Sequence, residues 1–457
     1  VVRRDSRDGL FKCWYEDLID HDPKDSLVEA RQCYAVSEDG VTWEKPELDI
    51  VIEDGCKTNV VLGGANGVDH AHSLNVIEDP FPSDDARRFV GLFSHYPPFQ
   101  GEIRAAYSPD GIHWTVDEQR PAFGTLGASM GDASMLHYDH SARCFVANCR
   151  HWHQGHPCLS PRNPIGPVNP GPRYPHDFSR QNRRRIWFSE SFDLLHWSQP
   201  YLVVCPDHEE DNLDDGFYGM VYDQFGSFYV GFLSVFHRVL NEIDVQLVIS
   251  RDRKQWHHVN KRQPWLTLGA PGEWDQHNIA MTSSVIEVGD ELFIYYGGAN
   301  CHHDYFIWGP REGMDHPEVH DRNLTQFGLG LARLRKDGFV SVSSGALREG
   351  LLVTRPFLST GTSLVINGRC GKDGYILAEV LDHFDELMPG RSRQACDVFT
   401  GDSVSHKVTW QGESELPAAR PEFGGDTVFP WKKTTPYRKL RFFLRNAELF
   451  SFRLTEA

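Results

Sequence analysis

Ser37-Glu38-Asp39-Gly40-Val41-Thr42-Trp43 is the first copy of a pattern, Ser, any residue, Asp, three variable residues and Trp, that decides how this chain is read. The pattern returns at Ser108-Pro109-Asp110-Gly111-Ile112-His113-Trp114, at Ser191-Phe192-Asp193-Leu194-Leu195-His196-Trp197 and at Ser250-Arg251-Asp252-Arg253-Lys254-Gln255-Trp256. Each copy follows a run of alternating apolar residues. Ser and Asp cap a tight turn with side-chain hydrogen bonds, Gly where present supplies positive φ, and Trp packs the returning strand. These are strand-turn-strand corners, and self-similarity of this kind marks a repeat architecture.

Between corners lie two further strand-like runs, such as Arg88-Phe89-Val90-Gly91-Leu92-Phe93 and Ser227-Phe228-Tyr229-Val230-Gly231-Phe232-Leu233. Four strands per repeat make the blade of a β-propeller. Blades are predicted to begin near His72, Asp132, Gly216 and Asn278, the last ending at Lys336-Asp337-Gly338-Phe339 without the Trp. The stretch from Val1 to about Cys56 supplies another blade with a clipped innermost strand. Counts of four or six compete with five, because the Trp spacings are uneven and the insert from His151 to Arg185 is long and Pro-rich. After about Gly350 the pattern stops, and Ser363-Leu364-Val365-Ile366 and Lys439-Leu440-Arg441-Phe442-Phe443-Leu444-Arg445 read as strands of an appended sandwich. The expected architecture is all-β: a five-bladed β-propeller over residues 1–349 and a C-terminal β-sandwich domain over residues 350–457.

The chain has 457 residues and a formal charge of −18, which repels a phosphate backbone or an anionic membrane surface. Nucleic-acid and membrane partners are therefore not expected; oligomeric state is left open. No apolar run approaches the roughly 18 residues that span a bilayer, and Val1-Val2-Arg3-Arg4-Asp5 lacks the apolar region of a signal peptide. The missing initial Met points to a trimmed chain, and a secreted or periplasmic setting is favoured over the cytoplasm. Ten cysteines without a CxxC pair indicate neither a zinc site nor a disulfide framework, and Asn323-Leu324-Thr325 is a lone glycosylation sequon.

The corners, the Tyr218-Gly219-Met220 inner strand, Trp274-Asp275 ahead of a strand and the hairpin Gly289-Asp290-Glu291-Leu292-Phe293-Ile294-Tyr295-Tyr296-Gly297-Gly298 resemble the five-bladed propeller glycosidases related to glycoside hydrolase families 43 and 32. The resemblance covers nearly the whole chain. It implies a propeller, a sandwich behind it as in the second family, and action on furanosides such as fructans and arabinans by a trio of carboxylates around a central funnel. The Trp-Met-Asn-Asp-Pro segment and the Glu-Cys pair of family 32 are absent.

Glycoside hydrolysis needs one carboxylic acid to protonate the leaving oxygen and one carboxylate to act as nucleophile or to activate water; a third tunes the acid by like-charge repulsion. Acids at the starts of inner strands are the candidates. Asp132, in Gly131-Asp132-Ala133-Ser134-Met135-Leu136, precedes an apolar strand; Asp215 precedes Gly216-Phe217-Tyr218; Asp275 follows Glu273 and Trp274. Each has a plainer reading: a strand-start Asp serving a turn amide, an acidic loop continuous with His208-Glu209-Glu210-Asp211, and a core Trp. Asp69 and His72 open one blade, Arg150 and Trp152 end a second strand, and His302 sits beside His303; with Glu273 and Trp274 these are the candidate substrate-binding residues. No cofactor is required and no metal ligand is assigned. A central divalent cation is a minor alternative to ordinary hydrogen-bonding histidines.

The expected function is cleavage of glycosidic bonds in an oligo- or polysaccharide by Asp132, Asp215 and Asp275. A glycoside phosphorylase or transglycosidase is the alternative within carbohydrate chemistry, with arginines of the long insert as its anion site. A non-catalytic carbohydrate-binding propeller is the alternative outside enzymes, because propellers host many functions.

Overall fold

The computed structural model describes residues 1–20, 29–64, 70–95, 102–117, 134–151, 184–207, 209–212, 214–281, 283–303, 316–417 and 437–456. Their secondary structure is almost entirely β; the α-helix among them is one turn, Pro317–His320. None of the described helices is long and apolar enough to cross a membrane. The chain folds as two compact units, Val1–Ile286 with Ile294–Ala332 and Glu287–Phe293 with Arg333–Ala457. Strand Phe327–Arg335 crosses the change of unit between Ala332 and Arg333.

In the first unit, strands β1 (Val2–Arg4), β2 (Phe11–Asp20) and β3 (Glu29–Ser37) begin the first sheet. A separate hairpin of β4 (Leu48–Glu53) and β5 (Cys56–Thr58) follows, before β6 (Val60–Leu62) completes that sheet in the order β1-β2-β3-β6. The second sheet comprises β7 (His72–Glu78), β8 (Phe89–His95), β9 (Glu102–Ser108) and β10 (Thr115–Val116). The third comprises β11 (Ser134–Asp139), β12 (Cys144–His151), β13 (Arg185–Ser191) and β14 (Tyr201–Val204). The fourth comprises β15 (Asp215–Phe225), β16 (Phe228–His237), β17 (Glu242–Ser250) and β18 (Trp256–His258). Neighbours within these four sheets run antiparallel and, apart from the hairpin, follow chain order. A fifth group, β19 (Asn278–Ala280), β20 (Ile286–Val288), β21 (Glu291–Ala299) and β22 (Phe327–Arg335), joins the fourth through one parallel bridge, Ile243 to Asn278.

All four corners occupy the same place, since Ser37, Ser108, Ser191 and Ser250 are the last residues of the third strands β3, β9, β13 and β17. In the second sheet, the Ser108 hydroxyl accepts the Gly111 amide at 2.8 Å, and Asp110 Oδ1 accepts the Ile112 and His113 amides at 2.8 Å. The residue after Asp is left-handed every time, with φ of 76° at Gly40, 85° at Gly111, 65° at Leu194 and 62° at Arg253. Two copies therefore tolerate a strained backbone. Leu194 puts its side chain in the core, and Arg253 reaches Asp139 at 2.5 Å on the preceding sheet.

Apolar side chains fill the spaces between successive sheets: Trp14, Leu74 and Phe93 between the first two, Leu92, Leu136 and Ala147 between the next, and Ile186, Phe188 and Met220 between the third and fourth. Hydrogen bonds also link residues of the first strands to neighbouring sheets. Arg3 Nε donates to Val76 O at 2.8 Å, the Leu136 amide to Asn75 Oδ1 at 3.0 Å, and the Val285 amide to Asp223 Oδ2 at 2.7 Å. The Val2 amide donates to Ser283 Oγ at 2.8 Å and Tyr295 Oη to Gly40 O at 2.7 Å, so the end of the series meets its beginning.

The second unit is built on β26 (Ser363–Leu381) and β28 (Tyr437–Thr455), long antiparallel strands in a sheet ordered β23-β28-β26-β27. The remaining members are β23 (Val342–Ser344), β24 (Gly350–Val353), β25 (Phe357–Leu358) and β27 (Asp402–Lys407). As the alternation predicts, Leu440, Phe442 and Leu444 of β28 are buried. They pack with Ile376, Val380, Phe399 and Trp410, the last two on a segment that covers the sheet through isolated bridges such as Ile376 to Phe399.

Candidate active site

The fourth sheet begins with a buried carboxylate. Asp215, 3% exposed, opens β15 and pairs across the ladder with His237 at the end of β16, which in turn pairs with Glu242 at the start of β17. The register of three adjacent strands thus gathers these side chains at one edge. His237 Nδ1 lies 2.7 Å from Asp215 Oδ1 and Nε2 lies 3.0 Å from Asp244 Oδ2, so the imidazole bridges two carboxylates. Asp215 Oδ2 accepts the Asn212 amide at 3.1 Å and its side-chain N–H at 3.2 Å. Burial opposes charge on His237, but the two carboxylates overcome it and hold its pKa up to about 10. The ring is a fixed cation at neutral pH.

The same edge continues into the fifth group. The Ile243 amide donates to His277 O at 3.0 Å and the His277 amide to Ala299 O at 3.2 Å, which sets His277 between β17 and β21. His277 Nδ1 is 2.9 Å from Glu242 Oε1. Its ring stacks on His302 with centroids 3.9 Å apart, and His302 stacks at 3.9 Å on His316. His302 Nδ1 bonds Glu318 on the short helix, whose carboxylate also accepts the His302 amide at 3.3 Å. Burial lowers the His302 pKa, the neighbouring imidazoles add to this, and Glu318 works against them. Burial pushes Glu318 upward, but its bonds to His302 leave it below its ordinary range. Alongside, His303 Nε2 and Tyr218 Oη are 2.7 Å apart, and the Arg184 guanidinium lies 4.7 Å from the Tyr218 ring centre.

Asp275 stands two residues ahead of His277 and accepts Tyr296 Oη at 2.9 Å. Burial and then Asp275 push the Tyr296 hydroxyl up to about 12, so it remains a donor. Trp274 stacks on Tyr296 at 5.8 Å and 17° and fits against glycine; a Cβ at Gly298 would come within 2.6 Å of its ring. Glu273 is exposed.

Comparison with known proteins adds the following. No family model and no curated protein sequence matches the chain. Among solved structures, it is similar to a thermostable family-43 glycoside hydrolase at 13% identity and TM-score 0.46, covering 74% of this chain and 89% of that one. It is similar to a fructofuranosidase from Schwanniomyces occidentalis complexed with fructosylnystose, at 11% identity and TM-score 0.43, covering 99% and 93%. It is also similar to a β-1,2-mannobiose phosphorylase from Listeria innocua, at 14% identity and TM-score 0.43, covering 67% of each. The neighbours are mostly glycoside hydrolases, with this phosphorylase and an N-acetylgalactosamine deacetylase from F. plautii among them.

On the second sheet, His72 opens β7 and meets Glu16 of β2 at 2.9 Å. Burial raises the Glu16 carboxyl, but His72, the Ser73 amide at 2.6 Å and Gln32 more than offset it, leaving it lowered. Of the predicted residues, Asp215 and His302 are joined through His237, Glu242 and His277; Asp275 lies next to that chain in sequence, and His72 has its own partner. Asp69, Asp132 and Trp152 lie outside the described residues, as does the side chain of Arg150, whose backbone pairs with Ile186. Arg185, part of the expected basic wall, is instead buried in β13. Sequence reasoning missed Glu16, His237, Glu242, Asp244, His277 and Glu318. Only the hairpin offered a signal, a His and an acid placed symmetrically about Arg238-Val239-Leu240-Asn241.

Chemically, the edge offers carboxylates for proton transfer, a fixed imidazolium, and imidazoles with carboxylate partners. Two groups have ligand atoms within 4.8 Å of one another: Glu242, His277 and His302, and His302, His316 and Glu318.

Proposed function

We propose that the first unit is a five-bladed β-propeller glycosidase that hydrolyses glycosidic bonds of an oligo- or polysaccharide with Asp132, Asp215 and Asp275. The hydrogen bonds that link the first strands of the first three sheets, together with those from Val285 to Asp223 and from Val2 to Ser283, support the propeller and its count of five. In such a ring the first strands line a central channel, and their starts converge on one mouth. His72, Asp215 and Asn278 are such starts. The observation that carries the functional reading is Asp215, a buried carboxylate at a strand start and in contact with the His237 imidazolium, which Asp244 of the same sheet also holds.

Asp215 is held by two hydrogen bonds from Asn212 and by the His237 imidazolium, which suits a carboxylate that orients substrate and sets the local field. Asp275 has a single neutral donor, Tyr296, and is better placed to exchange a proton. Asp132, ahead of the preceding blade by sequence, completes the trio. This chemistry requires no cofactor, and the partner is a carbohydrate. A phosphorolytic version draws on Arg184, a cation against Tyr218 beside the same mouth, and differs only in the attacking oxygen.

The test is reducing-sugar release from a panel of polysaccharides and chromogenic glycosides, with and without phosphate. Asp275→Asn and Asp132→Asn are expected to lower turnover by roughly 100-fold or more. Turnover only with phosphate selects phosphorolysis. Undiminished activity in both Asn variants moves the chemistry elsewhere, and silence across the panel favours a sugar-binding module.

A further inference from the structure

We propose that Glu242, His277 and His302 bind one divalent transition-metal cation of the zinc type, with Glu318 orienting His302 from behind. The ligand atoms lie within 4.8 Å of one another, and a cation with bonds of about 2.0–2.2 Å gathers such atoms with small side-chain rotations. Two imidazoles and one carboxylate form a donor set for Zn2+ or Co2+, whereas Ca2+ and Mg2+ take oxygen ligands.

Three features of the scaffold agree. Glu242 is the first residue of β17, and His277 is fixed by backbone hydrogen bonds to Ile243 and Ala299. His302 follows β21, where Asn278 Nδ2 bonds the Cys301 carbonyl and anchors the segment. Glu318 bonds Nδ1 of His302, and carboxylates in this role fix the orientation and tautomer of ligating imidazoles.

The cluster also carries the right charge: the Glu242 and Glu318 carboxylates contact the stacked rings of His277 and His302, and a divalent cation is their complement. The second ligand group shares His302, so the site holds one cation per chain. Glu242 pairs with His237 in the ladder, which places the cation beside Asp215, with coordination positions left for water or a sugar hydroxyl.

The site is tested on the full chain, stripped with a chelator and titrated with Zn2+ by calorimetry and with Co2+ by visible absorption. One equivalent is expected to bind, Co2+ is expected to show the d–d bands of nitrogen and oxygen ligation, and Ca2+ in excess is expected not to compete. His302→Ala and His277→Ala should each lose at least 10-fold in affinity, while His113→Ala on an exposed corner should lose none. Because His302 is largely buried, Glu242→Gln serves as the mild variant; a circular dichroism spectrum like that of the parent with affinity down about 10-fold supports the site. Absence of saturable one-equivalent binding, or binding unchanged in both His277→Ala and Glu242→Gln, overturns it. Neither readout depends on sugar turnover, so failure here leaves the glycosidase reading intact.

Discussion

At the residue scale, His237 makes the stability of the protein depend on pH. Its pKa is about 10 in the fold, against about 6.5 for a free imidazole, so the native state holds a proton that the unfolded chain releases. The stabilisation is complete below about pH 6.5 and is lost as pH rises through the folded value. The melting temperature is therefore expected to fall between pH 7 and 10. His237→Gln, which removes the cation between Asp215 and Asp244, should melt several degrees lower at pH 6 and show a flatter profile across that window. Scanning calorimetry at a series of pH values reads both; parallel profiles would mean that another group carries the slope. None of this was legible in the sequence. His237 ends a mostly apolar strand, and only the register of β15 and β16 reveals that it faces Asp215, 22 positions away.

At the element scale, the corner was legible because its chemistry is local. Ser, Asp and a left-handed residue satisfy one another within seven positions, so identity and spacing suffice to read it. Gly111 adds a tertiary demand. Its φ is 85°, and a Cβ there would lie 2.5 Å from Cζ2 of Trp14 on the neighbouring sheet. Gly111→Ala therefore combines backbone strain with overpacking and should cost about 2–4 kcal/mol, measured by urea unfolding. A loss under about 1 kcal/mol would show that Trp14 moves aside at little cost. The first strands were equally legible: the predicted starts at His72, Gly216 and Asn278 fall within one residue of β7, β15 and β19. The histidine stack was not, since His277, His302 and His316 come from separate segments with no metal-ligand spacing.

At the scale of the whole molecule, the proposed propeller has to close on its first sheet, and a three-residue first strand has little ladder with which to do it. The seam instead relies on a few polar contacts. The buried Val2 amide has Ser283 Oγ as acceptor, and Gly40 O, in the first corner, receives Tyr295 Oη. Removing either partner strands a buried backbone group, at about 1–3 kcal/mol. Ser283→Ala and Tyr295→Phe are conservative in shape, so each isolates the hydrogen bond from the packing around it. Both should lower the urea midpoint with little change in the slope of the transition. As the two bonds use different residues on each side of the seam, their losses should add in the double variant to within about 0.5 kcal/mol. A double variant no less stable than either single would mean that one contact already opens the seam, and that closure is a single cooperative event rather than a sum of bonds. A broader, two-step transition would place the first sheet among the parts that detach before the rest unfolds.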